Sequence, residues 1–119
     1  MNPTDWIVLK FGGTSVSRRN RWNIIGQLMR KRMQDEQVRV LVVVSALSGV
    51  TNTLQSIIDQ YADRAAVQTL VDGLVEKHRG FCAELEIDAD KVLSKRFETL
   101  QALVDDSRRV QAELSWQAE

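Results

Sequence analysis

The sequence predicts an α/β fold: a βαβ unit over residues 1–52, then a mostly helical segment over residues 53–119, within one domain. Three observations predict it. Two short runs rich in apolar and β-branched residues, Trp6 to Lys10 and Val38 to Val44, are each followed by turn chemistry. One stretch of helical periodicity separates them, which makes the strands parallel neighbours joined by a right-handed crossover. Beyond Thr51 the apolar period stays helical and no further strand is evident.

In chain order, Trp6 to Lys10 lacks the polar alternation of a half-exposed strand and is expected to be buried on both faces, as parallel strands are. Gly12-Gly13 ends it. The helix from about Ser15 to Met33 carries Trp22, Ile25, Leu28 and Met29 on one stripe, with Arg30-Lys31-Arg32 in its last turn, where cations complement the helix dipole. Val38 to Val44 makes the second buried strand. Thr51 is the expected N-cap of a helix marked by Leu54, Ile58, Tyr61 and Ala62. The next helix, about Ala66 to Leu85, gathers Val67, Leu70, Val71, Leu74, His78, Phe81 and Cys82 on one side. Asp88 or Asp90 caps a third, whose Leu93, Phe97, Leu100, Val104 and Leu114 repeat at helical spacing. Residues 86–90 then bend an antiparallel helix pair.

Composition narrows the function classes. At 119 residues the chain fits one small domain with a modest core. Sixteen basic and sixteen acidic residues cancel, so no global field recruits nucleic acid or an anionic membrane. The longest apolar stretch, Val40 to Val44, is far too short to span a bilayer, and the start lacks a signal-peptide pattern; a cytoplasmic location is expected. Cys82 is the single cysteine and His78 the single histidine, so neither an intrachain disulfide nor a soft metal cluster is expected. Any metal has to arrive with a phosphate ligand, as magnesium usually does.

The chemistry concentrates at two turns. Lys10-Phe11-Gly12-Gly13-Thr14-Ser15 places a cation, two side-chain-free backbones and two hydroxyls at the end of the first strand. Glycines let backbone N–H groups approach phosphate oxygens, a following helix N-terminus adds positive potential, and lysine supplies a point charge. A second hydroxyl-rich turn, Ser45-Ala46-Leu47-Ser48-Gly49-Val50-Thr51-Asn52, closes the second strand. In a βαβ unit both turns fall on the edge where open α/β sheets bind ligands.

On these two strings, Lys10 through Val16 and Ser45 through Asn52, the chain resembles the aspartokinases, within the larger amino acid kinase fold. The resemblance implies the N-terminal portion of a three-layer α/β/α catalytic domain, with the helical segment of looser likeness. It implies transfer of the γ-phosphate of MgATP to the side-chain carboxylate of L-aspartate, giving 4-phospho-L-aspartate for lysine, threonine and methionine synthesis. Two parallel strands alone make a poor sheet, so the chain is expected to be a partial gene product and inactive by itself.

Lys10 is the expected catalytic cation, touching the ATP phosphates, with Gly12 and Gly13 offering backbone N–H donors to the same oxygens. Thr14 and Ser15 have two readings: hydroxyl donors near the transferred phosphate, or caps of the following helix. The resemblance places Ser45 and Thr51 beside the amino acid substrate and leaves Ser48, Gly49 and Asn52 as loop formers. A glutamate that holds the substrate ammonium in the family has a broken match at Glu119, since Ala118 stands where glycine is expected. The expected ligands are ATP, Mg2+ carried with the nucleotide, and L-aspartate, and a homo-oligomer is expected. Two alternatives stay open: a kinase with another acceptor, and a helical interaction module whose uncovered stripes pair between chains.

Other eye-catching residues read as structural. His78 lies on an apolar helix face and is expected to be packed, not a base. Cys82 reads as a small buried hydrophobe. The six basic residues between Arg18 and Arg32 read as a solvated helix face. Trp22 and Phe97 fit core positions, and Trp116 is expected to be exposed.

Overall fold

The computed structural model describes the backbone of residues 5–118 and the side chains of residues 5–107. The side chains of Leu114, Trp116 and Ala118, and all of Glu119, lie outside the described residues. The element order is β1 (Trp6–Phe11), α1 (Gly13–Val16), α2 (Arg19–Asp35), β2 (Arg39–Val44), α3 (Val50–Asp59), α4 (Arg64–Glu84) and α5 (Ala89–Ala118). The chain divides into two compact units, Met1–Thr51 and Asn52–Glu119.

In the first unit β1 and β2 pair in parallel, in a register running from Trp6↔Arg39 to Phe11↔Val44. The expectation of strands buried on both faces fails. Ile7, Leu9, Val40 and Val42 are half-buried on one face, while Trp6, Val8, Leu41 and Val43 on the other stay exposed. A single crossover helix explains the asymmetry, because α2 packs on β2 from one side only. On the open face the Arg39 guanidinium lies 5.6 Å from the centre of the Trp6 ring, a cation–π contact that covers part of the indole.

The helix expected from Ser15 to Met33 is broken in two. α1 is a single turn; Arg18 then adopts an extended conformation (φ −133°, ψ 137°) as the N-cap of α2. At the break the Ser17 hydroxyl donates to the Gly13 carbonyl, four residues back. Trp22 secures the second segment by donating from Nε1 to Val16 O at 2.7 Å. Val16, Ile25 and Val38 form the core here, while Leu28 of the expected stripe stays exposed. α2 ends with the Glu36 N–H on Arg32 O and Gln37 in the left-handed region (φ 51°).

The second unit is a helical assembly in which side chains cap the starts of α4 and α5. Asp63 caps α4, its Oδ1 accepting the Ala66 N–H at 3.0 Å. Of the two candidates for α5, Asp88 is the cap: its Oδ1 accepts the N–H groups of Asp90 and Lys91. α4 closes in a Schellman motif, with the Ile87 N–H on Cys82 O and the Glu86 N–H on Ala83 O. Val67, Val71 and Leu74 are nearly fully buried, each worth about 1.5–3 kcal/mol of apolar transfer. The side-chain amides of Gln68 and Gln101 exchange two hydrogen bonds of 3.0 Å between α4 and α5.

His78 and Cys82 are structural, as expected. His78 Nδ1 lies 2.7 Å from Leu74 O, and its ring meets Phe97 edge-on with centroids 6.3 Å apart. Cys82 is buried. Leu54, Ile58, Tyr61 and Leu103 remain exposed and help line an apolar groove of about 590 Å³ between α3, α4 and α5.

Candidate functional site

The parallel register brings the C-terminal ends of both strands together, with Lys10 opposite Val43 and Phe11 opposite Val44. The Ser45 N–H continues the ladder to Phe11 O at 3.1 Å, so the second turn starts beside the first. The side chain of Lys10 is exposed and belongs to the same open face as Val8 and Val43.

The two glycines of the first turn face different surroundings. Gly12 has φ −78° and ψ 176°, which any residue adopts, and a Cβ built there meets nothing within 4 Å among the described residues. At Gly13 a Cβ would lie 3.1 Å from Ala46 O and 3.6 Å from Ser48 Cα. The second turn therefore packs directly on Gly13. The amides of Gly13 and Thr14, in the first turn of α1, have no intrahelical acceptor, whereas those of Ser15 and Val16 bond to Gly12 O. α1 holds only four residues, so the helix-dipole contribution expected at this turn is small.

Thr14 and Ser15 do not cap a helix: neither α1 nor α2 has a side-chain N-cap bond, so the capping alternative fails. Thr14 is exposed and Ser15 half-buried. Thr51 is not the N-cap of α3 either. Gly49, at φ 83°, turns the chain in a conformation that L side chains rarely adopt, and the Val50 N–H donates to Leu47 O. α3 thus begins at Val50, with Thr51 exposed in its first turn and Ser45 exposed at the start of the loop.

The sequence reading missed Ser17. Its hydroxyl donates to Gly13 O and accepts the Ser48 N–H at 2.7 Å, a bond across 31 residues that fastens one turn to the other. In the sequence Ser17 is indistinguishable from a surface serine on a continuous helix. Its role becomes visible only where that helix breaks. Among the described residues no group of three or more His, Cys, Asp or Glu side chains is placed to hold a metal ion, and no helix is long and apolar enough to cross a membrane.

These features define an α/β protein with two turns, one carrying lysine and paired glycines and one rich in hydroxyls, joined at one edge of a parallel strand pair. Comparison with known proteins gives that description a family. The chain is 34% identical over 110 residues to bifunctional aspartokinase/homoserine dehydrogenase 1, chloroplastic, of Arabidopsis thaliana, a match covering 92% of this chain and 11% of that protein. It is 33% identical over 75 residues, 62% of the chain and 8% of the relative, to the chloroplastic bifunctional aspartokinase/homoserine dehydrogenase of Daucus carota. A second Arabidopsis protein of that name, number 2, is 33% identical over 90 residues, 75% of this chain and 9% of its own. The chain is a relative of the aspartokinases, as its two motifs indicate, and spans about a tenth of the length of the curated relatives it matches. No protein-family model and no solved structure matches it.

Proposed function

We propose that the chain carries the phosphate-binding and acceptor-binding turns of an aspartokinase, an ATP-dependent enzyme that phosphorylates the side-chain carboxylate of L-aspartate. In this reading residues 1–119 are the N-terminal portion of an amino acid kinase domain of three α/β/α layers, with residues 1–52 carrying the turns and residues 53–119 the helical segment. The observation that supports it most is the fastening of the lysine-glycine turn to the hydroxyl-rich turn at one strand edge. Lys10 would neutralise the nucleotide phosphates, and the N–H groups of Gly12 and Gly13 would donate to their oxygens. Thr14 and Ser15 would add hydroxyl donors there, while Ser45 and Thr51 would hold the amino acid. Mg2+ would come with ATP. The proposed compartment is the cytoplasm, although the three relatives are named chloroplastic.

Isothermal titration of the chain with MgATP and with L-aspartate tests the reading without requiring turnover. Lys10→Ala is expected to weaken MgATP binding about tenfold to a hundredfold, the loss of one charge-assisted contact, and to leave aspartate nearly untouched. Thr51→Ala is expected to do the reverse. A well-folded chain that binds neither ligand overturns the proposal.

The exposed Leu54, Ile58, Tyr61 and Leu103 around the apolar groove favour a second reading, a helical module that pairs between chains to form a homo-oligomer. A mass that rises with concentration and falls back in Ile58→Ser would support it. A monomer at all concentrations would exclude it.

A further inference from the structure

We infer that Ser17 is a positioning residue that couples the two ligand turns, so that occupancy of the lysine-glycine turn sets the geometry of the acceptor turn; the inference rests on the kinase reading above. The serine hydroxyl has one proton and two lone pairs, and both kinds of capacity are used. It donates to Gly13 O on the first turn and accepts the Ser48 N–H, 2.7 Å away, on the second. It is half-buried where the chain leaves α1, and its backbone there is non-helical (φ −92°, ψ 2°). The bond to Ser48 fixes the middle of the Ser45–Thr51 segment, between the two residues proposed to hold the amino acid.

Besides the Ser45 N–H bond to Phe11 O, which ties the strand ends, two of the contacts described join Gly13 to that segment. One is the packing of Gly13 on Ala46 O and Ser48 Cα; the other is the Ser17 hydroxyl. Packing resists approach but transmits no pull. A hydrogen bond acts in both directions, so Ser17 lets the first turn draw the second with it when phosphate oxygens capture the Gly12 and Gly13 amides. Ser17 itself need touch neither ligand.

The test is amide NMR of the full chain titrated with inorganic triphosphate, combined with aspartate titrations in its presence. In the unaltered chain triphosphate is expected to shift the amides of Gly12 and Gly13 together with Ser48 and its neighbours. In Ser17→Ala the glycine shifts and the triphosphate affinity are expected to persist within about twofold, the Ser48 response to vanish, and aspartate affinity to fall about fivefold or more. Ser17→Thr, which keeps the hydroxyl, is expected to restore both. Should Ser17→Ala fail to fold, Ser17→Cys, with its weak donor and acceptor, takes its place with the same readouts. A Ser48 response that survives the loss of the hydroxyl, or is absent from the unaltered chain while the glycines respond, overturns the inference and leaves the kinase reading standing. Triphosphate that moves no amide removes the phosphate-binding reading and the coupling with it.

Discussion

Gly12 and Gly13 are adjacent in the chain but answer to different constraints. Gly13 is held by its neighbours, since a methyl group would press on the Ala46 carbonyl. Gly13→Ala is therefore expected to cost about 1–3 kcal/mol in urea unfolding, as overpacked sites do. Gly12 is demanded neither by its backbone angles nor by packing. Gly12→Ala is expected to change stability by less than about 1 kcal/mol and still to weaken triphosphate binding about tenfold, because a Cβ there stands where an anion must approach. Unchanged triphosphate affinity would mean that Gly12 has no ligand to accommodate. The identity of this pair was legible in the sequence and the division of labour was not, because it depends on which turn Gly13 meets 33 residues later. Ser17 was hidden for the same reason: its partner is remote in sequence.

At the scale of elements, every strand and helix of the described chain was expected except α1, and the errors fall at the ends. Helix periodicity reports which face is apolar; it carries no information on a two-residue break such as Ser17-Arg18, where the extended backbone of Arg18 separates α1 from α2. The cap of α5 was narrowed to Asp88 or Asp90, of which the structure selects Asp88, and the cap of α3 was misread at Thr51, where the left-handed Gly49 starts the helix sooner. Asp63 went unnoticed. Its carboxylate holds the Ala66 N–H, and Asp63→Ala is expected to lower the stability of the chain by about 1 kcal/mol. Gln37, in the left-handed region after α2, offers a change of opposite sign: Gln37→Gly is expected to raise stability by about 0.5–1 kcal/mol. Chemical denaturation midpoints check both, and a stabilised Asp63→Ala or a destabilised Gln37→Gly would contradict the assigned cap geometry.

For the molecule as a whole, the parallel α/β character of the first unit followed from two apolar runs. Burial was the part misread. Val8, Leu41 and Val43 look like interior residues in the sequence because hydrophobic runs imply cover on both sides, and a strand pair with one crossover helix supplies cover on one. Replacing Val8 and Leu41 together by Thr is expected to cost less than about 1 kcal/mol, since both side chains are already half or more exposed. It is also expected to raise the concentration at which the chain begins to aggregate, read by light scattering. Large destabilisation would show that this face is covered in solution.

The paired amides of Gln68 and Gln101 have a companion. The Arg79–Asp90 contact, 3.2 Å long, lies eleven residues further along α4 and eleven residues back along α5. Eleven residues make almost a whole number of helical turns, so both fastenings recur on one side of each helix, like two studs on a single seam. Apolar side chains alone would tolerate a shift of one turn, because Val, Leu and Phe interchange in a greasy interface at modest cost. The studs do not: a slide of either helix parts both at once. Asp90 is well exposed, so its ion pair adds little energy and serves mainly as alignment, while the amide exchange, half-buried, does the holding.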